Sequence, residues 1–251
     1  MTARYVFDFD GVLFDTAREV LEVAYQTART VPDFPARWRD HATPPPDVAA
    51  AFARHRHLVG PPWQYAVLLR CIADHAIPPD LASFLALAEA QKAKLASFTD
   101  AYFTTRGRLA AGPRWLELSR PYPAAAAYVE RRARGATAIL STRDPRSIAA
   151  LCKHYLHLEL GPDDFVAYDG REKWHGLVEL AARAGLAPGR VFFVDDYLPH
   201  ALPARAHGIA AQLALWGYLG PRDRDDALTA GLPCLQLDDL DRALRAHEET
   251  P

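Results

Sequence analysis

Short apolar runs punctuate the chain at residues 5–9, 136–140, 165–167, 191–194 and 210–215, and apolar positions at helical spacing lie between the later ones. Strand-length runs alternating with helical patterns predict a parallel sheet flanked by helices. Between the first two runs the chain carries helical periodicity and almost no strand signal. That stretch is too long for one crossover, so a helical domain inserted after the first strand is expected. The whole reads as α/β, a doubly wound parallel sheet with an inserted α-helical domain.

The insert begins at Thr16-Ala-Arg-Glu19, which has the form of a capping box, followed by Val20, Leu21, Val23, Ala24 and Ala28 at helical spacing. Prolines at 32, 35, 44–46, 61–62 and 78–79 then divide it, predicting helices near 47–57, 63–75, 80–96 and 98–110. The expected boundaries are 1–16 and 116–251 for the sheet domain and 17–115 for the insert. A further helix is predicted over 123–134, closed by Gly135. Asp144-Pro145 reads as an N-cap and first-turn proline of the next helix, and Lys173 and Gly185 bracket another.

Composition narrows the function. The 251 residues are 50% hydrophobic with a net charge of −2, so no basic excess points to nucleic acid or an acidic membrane face. No apolar run approaches the roughly 18 residues a membrane span needs, and the first strand begins too early for a signal h-region. A soluble cytoplasmic protein is expected. Cys71, Cys152 and Cys234 are odd in number and widely spaced, which predicts free thiols and neither a disulfide framework nor a zinc knuckle.

Candidate chemistry gathers at the ends of the predicted strands, where open α/β sheets do their work. Asp8 and Asp10 leave the first strand two residues apart, so both carboxylates point one way and need a cation or a proton between them. Gly11 allows a sharp turn after them. Ser141 stands between a strand end and a helix N-terminus, a place that favours oxyanions. Lys173 is one of four lysines against 25 arginines, and Val194-Asp195-Asp196 ends another strand in two acids.

The order acid pair, hydroxyl, lysine, acid pair resembles the haloacid dehalogenase superfamily over roughly residues 4–16 and 119–240. Asp8 to Thr16, Ile139 to Thr142, Lys173 and Val194 to Asp196 match its four motifs, and the segment from Arg190 to Asp196 with Leu215-Trp216-Gly217-Tyr218 looks like its phosphoglycolate-phosphatase-like branch. The resemblance implies a helical cap as the insert. It further implies hydrolysis of a small phosphorylated metabolite through a phosphoaspartate on Asp8, with Asp10 as acid and base, and Ser141 and Lys173 on the phosphoryl oxygens. Magnesium would be held by Asp8, the carbonyl of Asp10, Asp195 and Asp196, and no other cofactor is implied. Gly11, Thr142 and Arg143 are candidates for phosphate contacts, with a surface role the alternative for the last two. Dehalogenases of the superfamily lack an aspartate equivalent to Asp10, which disfavours dehalogenation. A phosphomutase, or a noncatalytic phosphate-binding or regulatory protein of the same fold, is the alternative function. His200 departs from the pattern, since many relatives carry Asp or Asn four residues beyond Asp196. Arg54 to His57 and Arg106 to Arg108 are expected on solvated helix faces, with contact to an anionic substrate tail the alternative, Trp63, Tyr65, Phe84 and Phe98 in a helical core, and Trp216 and Tyr218 packed at the end of the sheet.

Overall fold

The computed structural model describes residues 4–32, 34–168 and 170–249. The chain forms two compact units, Met1–Asp15 with Arg120–Pro251, and Thr16–Ser119. The first unit opens with β1 (Arg4–Phe7), a turn at Gly11 and the short β2 (Phe14–Asp15).

The second unit is helical: α1 (Ala17–Ala28), α2 (Pro46–His55), α3 (Pro62–Ala73), α4 (Leu81–Gln91) and α5 (Ala96–Ala110). Prolines occupy the first turns of α2 and α3, where a missing N–H costs nothing. Asp80 caps α4 by accepting the Ser83 N–H at 2.8 Å. The predicted helix over 80–96 gives way to a 3₁₀ turn at Lys92–Leu95. Tyr25, Trp38, Phe52, Tyr65, Phe84, Phe98 and Tyr102 fill the core, whereas Trp63 is only partly buried against it.

Local expectations fail in this unit where charged side chains are buried. Thr16 makes no side-chain cap bond, and Glu19 is fully buried, accepting from Arg106 Nε at 3.0 Å and Trp115 Nε1 at 2.8 Å. Arg106 is therefore not on a solvated face, and it also donates to the Tyr102 hydroxyl at 2.5 Å, one helical turn back. Arg56 is likewise buried, donating to the Val59 carbonyl at 2.6 Å over the Tyr65 ring. A buried charge must be paired and hydrogen-bonded, and Glu19 achieves this through side chains too far along the chain for helical spacing to reveal.

The chain re-enters the first unit at β3 (Arg120–Pro121), antiparallel to β2, with Phe14 opposite Pro121. There follow α6 (Ala124–Arg132), β4 (Thr137–Ile139), α7 (Pro145–Leu156), α8 (Lys173–Arg183), β5 (Val191–Asp195), α9 (Leu198–Ala206), β6 (Ala210–Ala214), α10 (Asp223–Thr229), β7 (Cys234–Leu235) and α11 (Leu240–Glu249). The five-stranded sheet runs β4-β1-β5-β6-β7 and is parallel throughout, with Val6 beside both Ala138 and Phe193. All five residues of β5 are buried, as expected for a strand covered on both faces. The apolar run at 165–167 is not a strand; it follows a 3₁₀ turn and contributes a single bridge, Phe165 to Ile139. The two-residue β7 is too short to leave a periodic signal. Asp144 caps α7 by accepting the Ser147 N–H at 2.9 Å, with Pro145 in the first turn. The strand order places the ends of β4, β1 and β5 side by side. Among the described residues no helix is long and apolar enough to cross a membrane, and Cys71, Cys152 and Cys234 are free.

Replacing Glu19 with Ala leaves the Arg106 guanidinium buried without its carboxylate, and is expected to destabilise the helical unit by about 3–5 kcal/mol. Urea unfolding of the variant beside wild type measures this, and a loss below about 1 kcal/mol, the value of an exposed pair, would contradict the role given to Glu19.

Candidate active site

The Asp8 N–H donates to the Val194 carbonyl at 2.9 Å, which prolongs the β1–β5 ladder and sets the carboxylate at the strand exit. Its Oδ1 accepts from the Phe9 N–H at 2.7 Å and lies 3.0 Å from Lys173 Nζ. Lys173 is the first residue of α8 and is almost wholly buried, its ammonium also 2.8 Å from Asp195 Oδ2. Asp195, at the end of β5, accepts the Tyr197 N–H on Oδ1 at 2.9 Å, and its Oδ2 lies 3.1 Å from His200 Nδ1.

One ammonium thus serves two buried acids, and they respond differently. Burial pushes the Asp195 carboxyl up, but Lys173 and His200 together hold it down to about 2. Asp8 is driven by burial up to about 7; Lys173 opposes this, while Asp195 and Asp10 add repulsion. Burial disfavours the Lys173 ammonium, yet Asp195 and Asp8 outweigh it and raise its pKa above the ordinary value. His200 is shifted down by burial and by the nearby Lys173 charge.

Asp10 meets a different cation. Arg143 donates from its NH1 to Asp10 Oδ1 at 2.9 Å and from Nε to Ser147 Oγ at 3.0 Å, while its backbone N–H reaches Ser141 Oγ at 3.2 Å. Asp196, also buried, accepts the Tyr218 N–H on Oδ2 at 2.6 Å and packs against Gly11 and Gly217. Gly11 itself has φ +83°, a conformation a side chain would strain. Thr142 is half-buried in the turn after Ser141.

The sequence candidates therefore meet in three groups: Asp8, Lys173 and Asp195; Asp10, Arg143 and Ser141; and Asp196 with Gly11. Sequence reasoning missed Ser147, Gly217 and the backbone of Tyr218 as partners of these groups, and the glycine between two aromatics was the available signal. Two cavities of about 610 and 580 Å³ are lined by helical-unit residues, among them Arg37 and His75 in one and Arg70 and Gln91 in the other, and by none of these acids.

Donor atoms of Asp8, Asp195 and His200 lie within 4.8 Å of one another, close enough to share a metal. Lys173 Nζ, however, already sits 3.0 Å from Asp8 and 2.8 Å from Asp195, so this side of the cluster is served by an ammonium. Asp8, Asp10, Asp195 and Asp196 nevertheless outnumber the cations Lys173 and Arg143, and repulsion from Asp195 and Asp10 adds to the larger effect of burial in raising the Asp8 pKa. A divalent cation with a preference for oxygen fits that imbalance.

The model of the haloacid dehalogenase-like hydrolase family matches residues 4–208. The chain belongs to that family. Solved structures with the same fold as this hydrolase include a haloacid dehalogenase-like family protein from Streptococcus pneumoniae, at 15% identity over 98% of both chains with a TM-score of 0.60. A predicted phosphoglycolate phosphatase from Haemophilus somnus 129pt is 15% identical over 96% of this chain and 97% of its own, with a TM-score of 0.58. A HAD family hydrolase from Deinococcus radiodurans R1, solved with bound phosphate and sodium, is 17% identical over 98% of this chain and 96% of its own, with a TM-score of 0.57. No curated protein matches this hydrolase.

The carboxyl shifts set a pH dependence. Because the Asp8 pKa is raised to about 7, its contribution to stability is present below the unfolded value near 3.8 and is lost as pH rises through about 7. Asp195, lowered to about 2, acts oppositely, and its contribution disappears only as pH falls from near 3.8 towards 2. In metal-free protein, Asp8→Asn deprives Lys173 of one partner at either pH but relieves a buried charge only at the higher one, so its effect on the unfolding temperature is expected to be more favourable at pH 8 than at pH 5 by a few degrees. Thermal scans at the two pH values check this; an equal effect at both would show that Asp8 titrates like an ordinary carboxylate.

Proposed function

We propose that this hydrolase cleaves a small phosphate monoester in a magnesium-dependent reaction that passes through a phosphoaspartate on Asp8. The carrying observation is the Lys173 ammonium, 3.0 Å from Asp8 and 2.8 Å from Asp195, at the exits of adjacent parallel strands, with Asp10 one residue beyond the end of the Asp8-Phe9 step. A carboxylate nucleophile needs a fixed cation beside it to accept an approaching phosphate dianion.

In this reading Asp8 attacks phosphorus and the ester P–O bond breaks, while Asp10 gives its proton to the leaving alkoxide. Water then attacks the phosphoaspartyl group, Asp10 takes a proton from it, and cleavage of the P–O bond to Asp8 releases phosphate and restores the carboxylate. Ser141 and Lys173 hold phosphoryl oxygens through both steps. Arg143, engaged with Asp10 at 2.9 Å, orients that acid and base. Magnesium, held by Asp8, Asp196 and the Asp10 carbonyl, would offset the charge of the phosphoryl group. Three N–H donors already fall on Asp195, which favours a role in anchoring Lys173 over direct metal ligation. The helical unit Thr16–Ser119 is read as the family's cap. The phosphate bound in the Deinococcus radiodurans relative and the phosphatase name of the Haemophilus somnus one support a phosphorylated substrate.

Phosphate release from p-nitrophenyl phosphate and a panel of small phosphomonoesters is expected to require magnesium, to fall by at least a factor of about 10³ in Asp8→Asn and by about 10²–10⁴ in Asp10→Asn. Turnover that survives in folded Asp8→Asn would remove the phosphoaspartate, and absence of turnover on every ester in magnesium would remove the hydrolase reading.

A further inference from the structure

The reaction outlined above uses no side chain of the motif Leu215-Trp216-Gly217-Tyr218, yet its last three residues all bear on the loops that carry the acids. Trp216 Nε1 donates to the Val12 carbonyl at 3.0 Å, in the turn that follows Asp10 and Gly11. The Tyr218 N–H donates to Asp196 Oδ2 at 2.6 Å, and its hydroxyl donates to Asp15 Oδ1 at 2.9 Å. Gly217 lies between them in a space with no room for a side chain: a Cβ there would overlap the Asp196 Cβ and stand 2.5 Å from Oδ2 and 2.6 Å from the Gly11 carbonyl. From the opposite side, a Cβ on Gly11 would overlap the same Asp196 carboxylate and stand 2.9 Å from the Tyr218 ring.

Asp196 is therefore held between two glycines, with a backbone N–H on one of its oxygens. Two loops approach this closely only where side chains are missing. We propose that the Trp216-Gly217-Tyr218 turn is a positioning element of the metal site, fixing the Asp196 carboxylate against the Asp8–Gly11 loop so that it can bind a divalent cation. This rests on the reading of Asp196 as a metal ligand. Groups that orient a ligand's carboxylate commonly control metal affinity almost as strongly as the ligand itself. A turn serving only to pack the sheet's end could use any small or apolar residue, whereas the contacts here converge on one buried acid and on the chain next to the proposed nucleophile.

Isothermal titration of Mg²⁺ into the full-length metal-free protein tests the proposal, with circular dichroism and thermal unfolding to verify the fold. Gly217→Ala is expected to weaken Mg²⁺ binding by at least about tenfold. Trp216→Phe keeps an aromatic ring but deletes the donor to Val12, and is expected to weaken binding by roughly threefold. Wild-type Mg²⁺ affinity in these variants, even with lowered thermal stability, would reduce the turn to packing and overturn the proposal. Should Gly217→Ala fail to fold, Trp216→Phe decides alone. Asp196→Asn separates the two levels: loss of Mg²⁺ binding in it upholds the metal reading, whereas undiminished binding rejects that reading and the positioning role together.

Discussion

Much of the sheet unit's chemistry depends on how one buried ammonium is shared. Lys173 begins α8, where its charge opposes the helix dipole, and its side chain has almost no contact with solvent. Both circumstances disfavour a cation, so the position is tenable only because Asp8 and Asp195 stand at 3.0 and 2.8 Å. The sharing is unequal. Asp195 takes three N–H donors and stays ionised, while Asp8 is left with burial and repulsion from neighbouring acids. An acid that is anchored but incompletely neutralised is a suitable nucleophile for a phosphoryl group, and its residual charge is what a divalent cation would answer.

The other acids are placed by equally specific means. Arg143 bridges from Ser147 to Asp10, linking the first helical turn after β4 to the loop after β1. Asp196 is located by glycine backbones and one N–H from the segment after β6. The strand ends bring the acids together, and their distinct partners keep them from being equivalent.

The helical unit obeys the same rule in a setting without sheet chemistry. Glu19, Arg106, Tyr102 and Trp115 form a buried polar group that joins α1, α5 and the segment after α5. Fully paired, such a group specifies one arrangement of helices more sharply than apolar contacts would, because any other arrangement strands a charge.

By itself the sequence determined the alternation of strands and helices, the parallel class of sheet and the strand ends at which Asp8 and Asp195 emerge. These features are local: burial on both faces makes β1 and β5 continuous apolar runs, and an acid just after such a run must lie at its exit. The proline-led starts of α2 and α3 and the Asp144 cap were legible for the same reason, since each is decided within one helical turn. Only the tertiary structure decided the partners. It joined Arg143 to Asp10 across 133 positions, Tyr218 to Asp196 across 22 and Arg106 to Glu19 across 87. A side chain's periodicity reports which face it occupies, but the cost of burying a charge is settled by whatever countercharge or N–H the folded chain brings within about 3 Å, and no local pattern records that choice.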